Sequence, residues 1–499
     1  MTDDSLTITT RQGRIEGALE PGGVRVWRGV PYAAAPVGAS RFTAPAPHPA
    51  WNGVRAAKAF SPISIQPALA GVPPREGIDE DCLYLNVWSP RQAQDLPVLV
   101  WIHGGGYFVG SGSTPVNNGS ALAENGPSVV VTLNYRLGAR GFLDLSMLNG
   151  AAGRFETNLG LRDQIAALNW VRDNIREFGG DPDRVTIFGQ SAGGGSVCCL
   201  VASPLARGLF GAAIAESPPA NSVFDRERAA EVTGRFLAQA DLPAATFNDV
   251  LAADPADLVG ASGRVLDEIT DVYPGHHAFQ PVIDAEVLLD TPIRSIAVGH
   301  GSSVPLMIGS NEDEGSLFAG PPMPRLIPTS QVDIDRFLEQ DHPDVAARVR
   351  SAYVNHGRWG NGVALGGDGM VTAPVTAIAE AMSAHAPSYV YRFRWSNADL
   401  EGKRLGAPHT IDVPFVWGTL DQFALTALVS PGDDSAVALS RTIQNAWLSF
   451  AKKRTPLVDE VGWAPYSPRA REVLVFDRAC SLERDPGGRQ REAWGSFAS

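Results

Sequence analysis

Short runs of β-branched and aromatic residues, apolar on both faces, alternate along this chain with longer stretches whose apolar positions recur every three or four residues. Seven runs stand out: Leu96 to His103, Ser128 to Tyr135, Arg184 to Phe188, Gly211 to Ala215, Val304 to Ile308, Ser388 to Arg394 and Val473 to Phe476. A strand apolar on both sides needs cover on both sides, and strands separated by helical patterns predict a parallel sheet with crossover helices. The helix before the third run is the clearest. Leu161, Ile165, Leu168, Val171, Ile175 and Phe178 form one apolar stripe, and Gly179-Gly180-Asp181-Pro182 stops it. Two segments, about 220–300 and 320–385, are helical in composition but interrupted by proline. They are expected to be insertions that roof a cleft as cap or regulatory subdomains of a single domain spanning 1–499.

Composition narrows the function classes. At 499 residues the chain has ample material for a large core, and 44% hydrophobic with 19% charged residues is ordinary for a globular protein. A formal charge of -13 argues against nucleic acid as a partner, because phosphate neutralisation needs basic patches. Lysine occurs only at 58, 403, 452 and 453, a bias that calls for no anion site. The N-terminal stretch lacks a basic segment followed by an apolar one, so no signal peptide is expected. No run approaches the roughly 18 apolar residues of a membrane span, and no membrane partner is expected. Cys82, Cys198, Cys199 and Cys480 fit no zinc spacing and read as reduced structural thiols. A cytoplasmic location follows as the expectation, which makes the sequon at Asn118 a chance match.

Chemistry enters with Gly189-Gln190-Ser191-Ala192-Gly193, set between the run RVTIF and the helical pattern GGSVCCLVA. A G-x-S-x-G at a strand-to-helix junction forces a sharp turn that lifts the serine oxygen above the carboxyl edge of the sheet, where open α/β sheets bind ligands. A serine hydroxyl needs a base to take its proton, and the oxyanion formed by its attack needs waiting donors. Trp101-Ile102-His103-Gly104-Gly105-Gly106-Tyr107 offers bare backbone N–H groups just past a buried strand. With the N–H of Ala192, those of Gly105 and Gly106 are the candidate oxyanion donors. No G-x-x-x-x-G-K-[ST] or G-x-G-x-x-G follows these glycines, which excludes a phosphate cradle. For the acid, Glu312, Asp313 and Glu314 stand together after the fifth run, and residue chemistry alone does not choose among them. Nine histidines compete for the base.

Together with Glu80-Asp81-Cys82-Leu83-Tyr84-Leu85-Asn86-Val87, these motifs resemble the type-B carboxylesterase/lipase family, and most closely its bacterial para-nitrobenzyl-esterase-like members. The likeness runs from Gly29-Val30-Pro31-Tyr32-Ala33 through Asn134-Tyr135-Arg136-Leu137-Gly138 and Asn158-Leu159-Gly160-Leu161-Arg162-Asp163-Gln164 to Trp447-Leu448-Ser449-Phe450-Ala451. It implies an α/β-hydrolase fold, a central mostly parallel sheet flanked by helices, and hydrolysis of small ester substrates without metal or cofactor. It implies Ser191 as nucleophile, Glu314 as acid (Asp313 second), from the match of Asn311-Glu312-Asp313-Glu314-Gly315, and His409 as base, from Gly406-Ala407-Pro408-His409-Thr410-Ile411-Asp412. His103 is expected to be structural or part of the oxyanion loop, and His276-His277 to lie in a solvated loop. Arg41 with Glu80 and Arg136 with Asp163 are expected as scaffold ion pairs.

Three departures from the family pattern shape the substrate expectation. Gln190 stands where many members have Glu, Ala70 to Glu76 has no aromatic for a choline group, and no cysteine precedes Cys82 to form the disulfide of secreted members. Mostly uncharged esters are therefore expected. Carbamate or amide hydrolysis would use the same residues, whereas a non-catalytic binding protein on this fold would lack a triad member. Monomer and homodimer are equally compatible with the sequence.

Overall fold

The computed structural model describes residues 6–67, 77–320, 323–422, 433–458 and 461–495, so the stretch Ala70 to Glu76 lies outside the described residues. Eleven strands make the main sheet: β1 (Ala18–Leu19), β2 (Arg25–Pro31), β3 (Tyr84–Ser89), β4 (Leu96–Ile102), β5 (Val129–Leu133), β6 (Gly180–Gln190), β7 (Ala212–Glu216), β8 (Leu306–Asn311), β9 (Ser388–Phe393), β10 (Glu472–Phe476) and β11 (Ser481–Arg484). Their spatial order is β11-β10-β9-β8-β7-β6-β4-β5-β3-β2-β1. All seven runs expected from the apolar pattern are strands, and they form the parallel centre, β4 to β10. The flanking strands pair antiparallel.

Alternation along β4 shows why these runs are apolar on both faces. Val98, Val100 and Ile102 join one core with Leu161, Leu168 and Val171 of helix α1 (Leu159–Asn174). Leu99 and Trp101 join the other with Phe188, Trp447 and Phe450, the last two on the long helix Asp434–Lys453. The stripe expected at 161–178 is α1 continued by a 3-10 turn, Ile175–Phe178, and Gly179 ends it at φ 87. A β-carbon on Gly179 would sit 2.5 Å from the Ala93 carbonyl oxygen, so the close approach demands glycine as much as the left-handed φ does. The stop signal is also an entry: Gly180 already pairs with Leu96, and the strand resumes after a register shift at Val185.

The strand order reverses around β4, and open α/β sheets bind ligands outside the carboxyl ends of the strands at such a reversal, here those of β4 and β6. Between β7 and β8 and between β8 and β9 the chain runs through helices, of which Ala373–Ser383 packs against β8 and β9 themselves. Arg226–Gln239, Phe247–Ala252, Pro255–Val272 and Pro292–Ala297 are the helices of the first segment, and Gln331–Asp341, Ala346–Ala352 and the run 361–383 those of the second. The run 361–383 has the length and mean hydropathy, 1.2, of a membrane span, although no apolar stretch of that length was expected. Its most apolar window is 61% buried inside the fold, as a core helix would be.

Candidate active site

β6 ends at Gln190, and the next residue turns the chain into the helix α2 (Ala192–Ala202). Ser191 makes that turn at φ 58, ψ -127, a conformation costing about 1–3 kcal/mol for a residue with a side chain. Its own N–H donates to the Glu216 carbonyl at 2.9 Å, and its carbonyl accepts from Gly195 N–H at 2.8 Å, so both neighbouring elements hold the strained backbone. The flanking glycines answer to close approach. A β-carbon at Gly189 would lie 2.7 Å from the Ile102 oxygen, and one at Gly193 only 2.0 Å from it. The elbow is pressed against the end of β4, which places it beside the loop that follows.

In that loop a β-carbon at Gly104 would lie 3.1 Å from Ser191 Cβ. Gly105 and Gly106 take φ +111 and +61, and the Phe108 and Val109 N–H groups close the turn on the Gly105 carbonyl. None of the N–H groups of Gly105, Gly106 and Ala192 donates to a backbone carbonyl outside regular elements among the described residues. Ala192 opens α2, where first-turn N–H groups have no partner within the helix and the dipole favours negative charge.

Of the three neighbouring carboxylates, Glu314 reaches a histidine. Its Oε2 accepts from His409 Nδ1 at 2.5 Å, and its Oε1 accepts from Ser217 Oγ and from Asn311 N–H, each at 2.6 Å. Asp313 instead pairs with Arg358 at 2.6 Å and accepts from Ala407 N–H, while Glu312 faces Arg392 and Arg394. Asn311 braces the histidine loop from below, donating to the Pro408 carbonyl at 2.8 Å and to Asp412 Oδ1 at 3.1 Å. His409 is 4% exposed, its ring lies 5.5 Å from that of Phe318, and its Nε2 meets the Gln190 amide nitrogen at 3.2 Å. The imidazole thus reaches the elbow at the residue next to Ser191.

Two buried carboxyls lie behind this row. Burial pushes Asp412 up to about 6, with the charge of Glu314 adding to the effect, and holds Glu216 well above the usual carboxylate range, with the charge of Asp412 adding to it. Glu216 accepts from Trp447 Nε1 at 2.7 Å. Sequence reasoning missed Ser217, Asn311, Glu216 and Asp412 as site residues. Asn311 and Asp412 lay inside the matched motifs, but Glu216 and Ser217 carried no local signal.

The other histidines separate cleanly. His103 is stacked on Tyr135 at 4.3 Å, and burial pushes it down to about 4, so it is a neutral structural ring. The expectation of a solvated loop at His276-His277 is wrong. His277 is 5% exposed, held down to about 4 by burial, and its Nε2 meets the Leu326 carbonyl at 3.3 Å. His276 pairs with Asp341 at 3.1 Å. Residues distant in sequence, Leu326 and Asp341 of the second segment, hold this loop in the fold, which its Pro/Gly composition concealed. The scaffold pairs form as expected, Arg41–Glu80 at 2.7 Å and the almost fully buried Arg136–Asp163 at 2.6 Å.

A cavity of about 890 Å³ touches Glu314 but neither Ser191 nor His409. Two of the arginines that line it are paired, Arg394 with Glu483 and Arg491 with Asp485. Among the described residues no group of three or more His, Cys, Asp or Glu side chains is placed to hold a metal ion, and Cys82, Cys198, Cys199 and Cys480 are free thiols.

A parallel sheet with a strained serine turn after β6, a glycine loop after β4, and an acid and a histidine from later loops defines the α/β-hydrolase class. The carboxylesterase family model matches residues 4–494. The chain is 40% identical over 494 residues to para-nitrobenzyl esterase of Bacillus subtilis (strain 168), covering 97% of each. It is 35% identical to phenmedipham hydrolase of Pseudarthrobacter oxydans, over 95% of this chain and 96% of that one. The solved structure of a thermophilic PNB esterase superposes with a TM-score of 0.89 at 37% identity, covering 98% of this chain and 100% of the other. The chain belongs to the carboxylesterase family and is a carboxylic ester hydrolase.

Proposed function

We propose that the enzyme hydrolyses small, mostly uncharged carboxylic esters through an acyl-enzyme on Ser191, with His409 as base and Glu314 as its acid partner. The observation that carries this reading is His409, fixed by Glu314 at Nδ1 with Nε2 directed to the elbow residue next to Ser191. In the mechanism, His409 Nε2 takes the Ser191 proton as Oγ attacks the ester carbonyl. The N–H groups of Gly105, Gly106 and Ala192 receive the oxyanion, and Glu314 stabilises the imidazolium. The alcohol leaves with the proton from His409. Water then attacks the acyl-enzyme with the same histidine as base, releasing the acid and restoring Ser191.

Contacts between the two helical segments support their reading as a roof. His277 of the first meets the Leu326 carbonyl of the second, and a β-carbon at Gly106 would lie 3.3 Å from Leu326 Cδ1. The neutral Gln190 beside the imidazole supports an uncharged substrate, as does the name of the Bacillus relative, a para-nitrobenzyl esterase. Four free thiols fit a reducing, cytoplasmic setting.

The test is Ser191→Ala, expected to fold normally and to lose roughly 10,000-fold or more in turnover of a nitrophenyl acetate. Hydrolysis near the wild-type rate would overturn the assignment. A matched ester, carbamate and anilide panel read as kcat/KM then defines the leaving-group preference.

A further inference from the structure

Gln190 is the last residue of β6, 3% exposed, and its side chain turns toward the histidine loop rather than into either core. Its amide nitrogen lies 3.2 Å from His409 Nε2, and its carbonyl oxygen would be 3.2 Å from a β-carbon at Gly104. Glu314 accepts from His409 Nδ1 on the other side of the ring, so that nitrogen bears the proton. An amide N–H facing Nε2 then needs a lone pair there. Both bonds are satisfied together by one form of the ring, the neutral Nδ1–H tautomer. That is the form in which the imidazole is a base.

We propose that Gln190 is a positioning residue for the catalytic imidazole, its amide holding His409 in the base tautomer and yielding Nε2 to the Ser191 hydroxyl when substrate enters. This rests on the Ser191–Glu314–His409 reading above. The chemistry distinguishes an amide here from a carboxylate. A carboxylate at 190 has no proton to give Nε2; it accepts one. The ring would then either turn a bare Nδ1 toward Glu314, placing lone pairs face to face, or keep both protons between two carboxylates. The second is the favourable outcome, and it withdraws the base until higher pH.

Among the described residues, the titratable and aromatic groups recorded against the ring are common to both cases. These are Glu314 on Nδ1, Asp412 and His277 at longer range, and the uncharged ring of Phe318. Behind Asp412 stands Glu216. Changing residue 190 therefore changes one charge in an otherwise constant surround.

The experiment compares kcat/KM for a nitrophenyl acetate from pH 5 to 9 in wild type, Gln190→Glu and Gln190→Met, normalised by titration of the active serine with a fluorophosphonate. An opposite charge at hydrogen-bond distance moves an ionisation by about 1–3 pH units. The acid limb of Gln190→Glu is expected to lie at least about one unit above wild type, while Gln190→Met loses turnover several-fold with KM retained. The downfield Nδ1 proton resonance of His409, followed against pH in Ser191→Ala with and without Gln190→Glu, reads the same shift without catalysis. A Gln190→Glu limb that overlays the wild type overturns the proposal. Should that variant not fold, a wild-type kcat in Gln190→Met overturns it. Failure of fluorophosphonate to label Ser191 would instead defeat the triad reading itself, so the two failures are distinguishable.

Discussion

Replacing Gly193 with alanine tests whether the elbow works because it is pressed against the glycine loop after β4. A β-carbon there would stand 2.0 Å from the Ile102 oxygen and 2.8 Å from the His103 oxygen. Both obstacles are backbone, at the end of a central strand paired on each side, so neither can swing away. An ordinary carbon–oxygen contact is about 3.3 Å or more. The elbow and the loop must therefore separate by more than about 1 Å. Overpacking of this kind typically costs about 1–3 kcal/mol of stability, and a 1 Å misplacement of reacting groups costs about 100-fold in rate. Gly193→Ala should lose about 100-fold or more in kcat on a nitrophenyl acetate, with KM changed less, and should melt lower by differential scanning calorimetry. Gly234→Ala is the control. It lies on the exposed side of the helix Arg226–Gln239 with nothing within 4 Å, so activity should hold and stability rise by up to about 1 kcal/mol. A Gly193→Ala enzyme with wild-type turnover would refute the claim that this contact sets the site geometry.

Two further outcomes are expected. Glu314→Gln should lower kcat far more than Asp313→Asn, roughly 1,000-fold against less than 10-fold, because Asp313 is engaged by Arg358 rather than by His409; the reverse order in steady-state kinetics would reassign the acid. His277 should make stability depend on pH. Burial holds it down to about 4 in the folded protein, whereas the unfolded chain takes the proton from about 6.5, so stability present above about 6.5 is lost as pH falls toward 4. From pH 7.5 to 5 the loss attributable to this residue is about 2 kcal/mol, and urea unfolding of His277→Gln should show a correspondingly flatter slope. His103 acts in the same direction and Asp412, raised to about 6, in the opposite one, so only the difference between the two proteins isolates His277; equal slopes would refute the burial argument.

What was legible depended on whether the signal was local. The parallel strands β4 to β10 could be read because each is buried on both faces and so carries its own apolar run. The antiparallel strands β1 to β3 escaped, and Tyr84–Ser89 was noticed as a motif, not as a strand. Its alternation is hidden because every residue in it is buried. The elbow was legible because its glycines and strained turn lie in five consecutive residues. The loop at His276 and His277 was misread because composition reports solvent preference on average, while burial there is imposed by helices distant in sequence.

Sequence by itself determined the pieces: the alternating strand and helix pattern, the serine turn, the bare glycine loop, and the motifs that nominated Glu314 and His409. Only the tertiary structure decided how they are used. It brought Ser217 to one oxygen of Glu314 and His409 to the other, sent Asp313 to Arg358, and laid the Gln190 amide on His409 Nε2. The physical reason is range. Backbone propensity and burial pattern act over a few neighbours, but a hydrogen bond between residues 190 and 409 exists only once the sheet has set the ends of its strands side by side.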